Sequence, residues 1–514
     1  MDLSKLTLRQ QVAQTAVILD KKQITEFAGE AIGGLFIGAQ IITEVEDGVA
    51  AVRETVSRWR KNTDTPPLVM SDFENGCGMM IQGLTSFPYL MSLGCANDVD
   101  LAYEYGKATA MEARTIGANT SFSPVCDLNL NWRNPLVNVR SISDDVERAV
   151  PLLRAVIRGM QDNGLGACAK HFPGDGVDWR DQHVLTTTNS LPMDKWWATY
   201  GKVFQEVIAE DVAMVMPGHI ALPAYTGNRM PATLSPELLT GLLKGELGFK
   251  GAVVSDATGM GGFQGYYPTK TETEVACFAA GCDLILWPTH EYIDAVVEAI
   301  ESGKIPMSRL EDALTRIQRV KERFISPEEY PELTAEEKAY VQDVGRRVGE
   351  ASITLVKNET GLLPLKEKPK HVVVCTTCNH PQGQPAADRL CRELEERGIQ
   401  VTHLQENDFS QLESVAKEAD LVIYAFYTRS FRPVGPIDFS GPKVKYIPLS
   451  WRIPQDKAVY VSFGSPYFVN QYFQRSAHVV NAYSMVEYSA AGFVRALLGE
   501  VPFTTDSPVT IPCE

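Results

Sequence analysis

The sequence predicts an α/β protein, a (β/α)8-type TIM-like barrel followed by a smaller doubly wound α/β sandwich domain. Three observations carry this. Short apolar runs alternate with amphipathic stretches through roughly the first 320 residues. Several of those runs end abruptly in ionisable residues, as at the C-terminal rim of a barrel. Between Ser326 and Lys338 the chain turns Pro- and Glu-rich, and a second strand–helix series begins after it. The expected domains are therefore 1–325 for the barrel, 326–350 for a linker helix and 351–514 for the sandwich.

The first-domain strands are read at Gly34–Ile37, Leu68–Ser71, Thr120–Val125, Gly166–Ala169, Ala213–Met216, Ala252–Ser255 and Leu284–Leu286. These runs are short and β-branched or apolar, as suits strands of a parallel sheet covered by helices. The helical stretches include Asp100–Ile116, Val146–Asp162, Met193–Glu210 and Glu291–Ser302, whose apolar residues recur at helical spacing. An eighth strand is expected within Val12–Leu19, a run whose pattern suits a helix equally well; a helix there would leave the barrel irregular. In the second domain the strands fall near His371–Cys375, Leu421–Tyr427, Val459–Phe463 and Val479–Ala482. Helices fall near Ala387–Arg397 and Val486–Leu498.

A net charge of −16 argues against nucleic acid or an anionic membrane as partner. No apolar run approaches the length of a bilayer span. The N-terminus enters a helical pattern without a signal-peptide core. Ten cysteines in 514 residues is far below the density of a disulfide scaffold. Together these lead to the expectation of a cytoplasmic protein with reduced thiols. The pair Cys375–Cys378 lacks a second pair at zinc spacing, so no metal and no cofactor are expected.

Four constellations stand where barrel strands should end. Asp72, in Ser71-Asp-Phe-Glu-Asn-Gly76, suits hydrogen bonding to hydroxyl groups, although a helix cap or Asx-turn explains it equally. Arg140, in Asn138-Val-Arg-Ser141, can fork to vicinal hydroxyls or to carboxylates, although an exposed structural arginine is the commoner explanation. Asp127 shares that ambiguity, with orientation of its neighbours as the favoured role. The third is Lys170-His-Phe-Pro-Gly174 followed by Asp181-Gln-His183. Adjacent strand residues face opposite sides, so Lys170 and His171 share a site only where the strand bends or ends. Asp181 and His183 resemble a carboxylate–imidazole pair, the carboxylate fixing the tautomer while the other nitrogen exchanges a proton. The fourth is Asp256, ending the run Ala252-Val-Val-Ser255, where a nucleophile belongs; a capping Asp or Ser255 is the plain alternative. His219 and Asp283 read as supporting groups.

The run Lys170-His-Phe-Pro-Gly with Asp181-Gln-His183 closely resembles the signature of family-3 glycoside hydrolases, in their β-N-acetylglucosaminidase branch. Lys357-Asn-Glu…Leu-Leu-Pro-Leu365 and the terminal Leu-Leu-Gly-Glu-Val-Pro-Phe…Ile-Pro resemble the ends of that family's second domain. The resemblance implies that Asp256 is the nucleophile, that Asp181 and His183 form the acid/base dyad, and that Asp72, Arg140, Lys170 and His171 hold sugar hydroxyls. It implies retaining hydrolysis of terminal β-linked amino sugars from small oligosaccharides or muropeptides, a carbohydrate being the partner expected. Two readings of the same family stand beside it, a glycoside phosphorylase and a β-glucosidase. A degenerate sugar-binding protein is the reading from another class.

The chain also departs from the family's pattern. Where relatives carry Asp-Gln-Glu-Gly-Gly-Arg and a further arginine, it reads Asp72-Phe-Glu-Asn-Gly-Cys-Gly-Met-Met80. Asp175 replaces a usual His, and Ala257 a usual Asp. The Gly-rich stretch Gly259–Gly262 has no basic neighbour and reads as a turn rather than a phosphate cradle.

Overall fold

The computed structural model describes residues 2–38, 48–61, 65–325, 332–428, 453–468 and 472–512. The opening of the expected linker, residues 326–331, lies outside them. Contacts divide the chain into two units, residues 1–85, 102–128 and 149–341 forming the first, and 86–101, 129–148 and 342–514 the second.

In the first unit, eight strands form a parallel ring. They are β1 (Ala16–Ile18), β2 (Gly34–Phe36), β3 (Leu68–Ser71), β4 (Thr120–Ser121), β5 (Cys168–Phe172), β6 (Met214–Pro217), β7 (Ala252–Val253) and β8 (Ile285–Leu286). Hydrogen bonding gives two arcs, β8-β1-β2-β3-β4 and β5-β6-β7. Single bridges close them into a barrel: Thr120 pairs with Gly166, Val125 with Lys170, and Val254 with Leu284. The strands are almost wholly buried, which explains why unbroken apolar runs marked them.

The ambiguous Val12–Leu19 run contains both structures. A helix over Leu8–Ala13, opened by a Thr7–Gln10 capping box, ends before β1 begins at Ala16. The barrel therefore has its eighth strand. The Met193–Glu210 helix is continuous but passes through a π-helical segment at Trp197–Gly201. A second π-helical stretch occupies Glu237–Glu246. A buried lysine lies in this unit: Lys321, on the helix Met307–Phe324, donates to Gln14 Oε1 at 2.6 Å.

The second unit is a six-stranded sheet, ordered β9-β14-β13-β12-β10-β11. Its strands are β9 (Thr354–Asn358), β10 (His371–Cys378), β11 (Gln400–Leu404), β12 (Leu421–Tyr427), β13 (Ala458–Phe463) and β14 (His478–Asn481). All pairs are parallel except β9 with β14. Alternate residues feed two cores. Val372, Val374, Ile423 and Val461 pack with Leu390, Leu394, Phe493 and Leu497 of the helices Gln384–Glu396 and Glu487–Leu497. Val373, Val422, Tyr424 and Tyr460 pack with Leu412, Ala416, Phe468 and Phe473 on the other face.

The nine cysteines among the described residues are free, and all but Cys378 are buried.

Candidate active site

The first unit gathers the charged residues of four strand ends. β3 leads directly into Asp72 and Glu74, and β5 carries Lys170 in its buried length. Lys170 Nζ lies 2.7 Å from Asp72 Oδ1 and 2.6 Å from Glu74 Oε1. Burying an ammonium is costly unless such partners surround it. Glu74 is thus a site residue that the sequence reading passed over. Its signal was the i, i+2 spacing from Asp72, which puts two carboxylates within reach of one cation.

The sequence reading ended the fourth strand at Ala169, but β5 runs on to Phe172. Its ladder to β6 shifts register between Lys170 and Phe172, and the Lys170–His171 peptide is cis. The turn then closes on Gly174, at φ +114°, where a Cβ would sit 2.1 Å from the Tyr200 ring. His171 is held by Asp127, which follows β4. Asp127 Oδ2 is 2.6 Å from His171 Nδ1, and Oδ1 accepts from the backbone N–H groups of His171 and Asp175. Asp127 therefore orients its neighbours. An ionised carboxylate only accepts, so Nδ1 is the protonated nitrogen and Nε2 is the one turned to other work.

On the loop after β5, His183 Nδ1 is 2.8 Å from Asp181 Oδ1, which also accepts from the His183 backbone N–H at 2.8 Å. Asp181 is buried while the His183 side chain is 38% exposed. A fixed base behind a solvent-facing imidazole is the arrangement required for proton exchange.

Asp256 stands beyond the end of β7. Ser255 does not cap a helix: its Oγ accepts from Leu286 N at 3.0 Å and its N–H donates to Leu284 O, stitching β7 to β8. Asp256 Oδ1 accepts from Ala257 N at 2.8 Å. Burial pushes the Asp256 carboxyl up, but the His171 imidazole, the Ala257 N–H and the His183 imidazole are among the groups that outweigh it. The group is held below the usual carboxylate range, hence ionised.

His219, which follows β6, is fully buried. Its Nε2 lies 3.1 Å from Ala257 O and its Nδ1 3.0 Å from Thr233 Oγ1. Because a carbonyl only accepts, Nε2 donates and Nδ1 accepts from the threonine. Burial lowers its pKa, favouring this neutral form. His219 thus braces the backbone next to Asp256.

The Gly259–Gly262 stretch is a seat for the loop that carries His183. Gly261 N donates to His183 O at 2.7 Å and Gly262 N to Gln182 O at 3.1 Å. Thr186 Oγ1 donates to Gly262 O at 2.8 Å and in turn accepts from Tyr266 OH.

The structure brings Asp72 together with Lys170 and Glu74, and Asp181 together with His183. It sets Asp256 within electrostatic reach of His171 and His183. Arg140 belongs to the second unit, at the end of the turn Asn138–Arg140, and its Nη1 donates to Leu136 O there. Among the described residues no cluster of three or more His, Cys, Asp or Glu is arranged to hold a metal ion. No described helix is long and apolar enough to cross a membrane.

Residues 7–320 match the family described as the glycosyl hydrolase family 3 N-terminal domain. A β-N-acetylglucosaminidase/β-glucosidase of Cellulomonas fimi is 32% identical over 95% of this chain and 91% of its own length. A β-hexosaminidase of Stenotrophomonas maltophilia is 31% identical over 53% of this chain and 80% of its own. Among solved structures, a β-glucoside phosphorylase bound to 2FGlc aligns with TM-score 0.85 at 26% identity, covering 99% of this chain and 95% of that one. A family-3 β-N-acetylglucosaminidase from Paenibacillus sp. str. FPU-7 aligns with TM-score 0.84 at 25% identity, over 99% of this chain and all of that one. A parallel barrel with an ionised aspartate after β7, an aspartate-backed histidine on the loop after β5 and a family match across the whole barrel agree: the chain belongs to glycosyl hydrolase family 3 and is a glycoside hydrolase.

Proposed function

We propose that the protein is a retaining, exo-acting β-N-acetylglucosaminidase that releases terminal β-linked amino sugars from small oligosaccharides or peptidoglycan fragments in the cytoplasm. The observation that carries this reading is the pairing of Asp256, kept ionised, with an Asp181-backed His183 on an adjoining loop. The names of the Cellulomonas, Stenotrophomonas and Paenibacillus relatives support the amino-sugar substrate.

In this mechanism Asp256 attacks the anomeric carbon and forms a glycosyl-enzyme, while His183 protonates the departing oxygen. His183 then takes a proton from water as that water attacks the intermediate, and the configuration is retained. Asp181 fixes the His183 tautomer and stabilises the imidazolium. Lys170, held by Glu74, and the partly exposed Asp72 meet sugar hydroxyls, as does His171; Arg140 is assigned the same task by its motif. The mechanism calls for no cofactor. A panel of nitrophenyl β-glycosides, with NMR of the first-formed anomer, tests the reading. Turnover of the N-acetylglucosaminide with the β-anomer appearing first is expected, and an α-anomer as first product would overturn it.

A phosphorylase is the second reading. The solved β-glucoside phosphorylase is as similar in fold as the Paenibacillus enzyme. A histidine in place of an acidic carboxylate also repels an incoming phosphate less.

A further inference from the structure

Gln182 stands between the two members of the Asp181–His183 pair and is itself fully buried. Its Oε1 accepts from the backbone N–H of His219 at 2.7 Å. Only an oxygen can take that N–H, so the orientation of the carboxamide is fixed. Nε2 is left buried without an acceptor among the described residues. An unpaired buried donor costs stability, so stability alone does not explain an amide at this position.

The same loop also bonds the other side of His219. Thr187 N donates to His219 O at 3.2 Å, and Thr187 and Thr188 pair in parallel with Ile220 and Ala221. His183 is therefore held between two anchors, Gln182 before it and Thr187 after it, that fasten to one residue. His219 in turn reaches the segment of Asp256. Its Nε2 donates to Ala257 O at 3.1 Å, and Ala257 N donates to Asp256 Oδ1 at 2.8 Å. The Thr187 anchor is a backbone bond that almost any residue supplies, whereas the anchor at 182 depends on its side chain.

We propose that Gln182 is a positioning residue for the reaction, setting the His183 imidazole against the Asp256 carboxylate through the backbone and ring of His219. The proposal rests on Asp256 as nucleophile and His183 as proton donor. Cleavage of an unactivated glycosidic bond needs both groups aligned in one transition state, and a small misplacement of either is costly. A leaving group that departs without a proton needs only Asp256 for that step. Loss of the Gln182 oxygen therefore penalises the first kind of substrate and spares the second.

The test uses a β-linked disaccharide of N-acetylglucosamine and the dinitrophenyl glycoside of the same sugar. Gln182→Met fills similar space without an acceptor. It should lower kcat/KM about tenfold on the disaccharide and less than about twofold on the dinitrophenyl compound. The ratio of the two values does not depend on how much of the variant is folded. Equal losses on both substrates would thus mean a merely structural role and overturn the proposal, as would unchanged disaccharide kinetics. If Gln182→Met does not fold, Gln182→Ala, which also lacks the oxygen, is read by the same ratio. Gln182→Glu keeps an oxygen for the His219 N–H and should bring the disaccharide value back to within about threefold of the wild type. A glutamate variant as slow as the methionine one would overturn the proposal, because the bond to His219 would then not be what aligns the site. His183→Ala measured alongside separates the two levels: if it shows no contrast between the substrates, the reading of His183 as proton donor fails, whatever Gln182 does.

Discussion

The backbone N–H of Gly261 donates to the carbonyl oxygen of His183 across 2.7 Å, so the segment that follows Asp256 physically carries the segment that holds the histidine. With the Gly262 N–Gln182 O and Thr186 Oγ1–Gly262 O bonds, this contact sets the segments of the proposed nucleophile and the proposed acid/base group against each other. A Cβ at Gly261 would meet Val184 O at 2.3 Å, so something must shift. Gly261→Ala is expected to lower kcat on a disaccharide by about 10²-fold, the scale of a misplaced catalytic group. KM should change little. Steady-state kinetics check this, and a KM effect without a kcat effect would place the loop in binding alone.

Asp256→Asn should abolish hydrolysis of an unactivated disaccharide with the fold preserved, because an amide cannot form the glycosyl ester. Since its neighbours keep the Asp256 carboxyl below the usual carboxylate range, it stays ionised above that lowered value and loses its charge only as pH falls through it. The acid limb of kcat/KM should accordingly lie below the range of an ordinary aspartate. A stopped assay from pH 3 to 8 reads both effects.

His183→Ala should slow a disaccharide roughly 10²–10⁴-fold. A nitrophenol leaves without a proton, so formation of the glycosyl-enzyme suffers less on that substrate while its hydrolysis still lacks a base. A burst of nitrophenol followed by slow turnover is the expected trace. Equal losses on both substrates with no burst would remove His183 from the role.

Products formed at millimolar phosphate separate hydrolysis from phosphorolysis. Positive potential from Lys170 is largely spent on Asp72 and Glu74, and the Gly259–Gly262 backbone is engaged with the His183 loop. Free sugar is therefore expected to dominate. Sugar 1-phosphate as the main product would establish the phosphorylase and leave Asp256 and His183 in their roles.

Lys321 gives a stability prediction. Burial pushes its pKa down to about 7 from 10.5. Between those values the unfolded chain holds a proton that the folded chain does not, so stability gains from rising pH over that window. Below about pH 7 both states are charged and the penalty is greatest. Lys321→Met should raise the thermal midpoint at pH 6.5 by several degrees, with a smaller gain at pH 9. A gain independent of pH would show that the lysine does not titrate on folding.

Much of the barrel and of the second sheet was legible because strands covered on both faces leave unbroken apolar runs, as Leu68–Ser71 and Leu421–Tyr427 do. β9 was missed because most of its residues are only half-buried and it pairs antiparallel at the sheet's edge. The π-helical turns have no marker in hydrophobic spacing. At the site, Asp256, Asp181 and His183 stood out through strand-end position and neighbouring motif. Glu74 was hidden by reading each loop residue alone, because its partner Lys170 is distant in sequence. The Gly259–Gly262 stretch looked like a plain turn because its function is to receive another loop, a tertiary fact. Arg140 sits in a segment that contacts assign to the second unit, and no local pattern marks such an exchange.

The two arcs of the barrel contribute unequally to the proposed site. β5, β6 and β7 lead to Lys170 and His171, to His219 and to Asp256, while β3, in the longer arc, leads to Asp72, Glu74 and the loop that lacks arginine. On the proposed assignment both bond-making groups follow the shorter arc, while the groups that meet sugar hydroxyls come from both arcs. A change in the loop from Asp72 to Met80 can therefore retune the contacts of Asp72 without touching the strands that lead to Asp256 and His183.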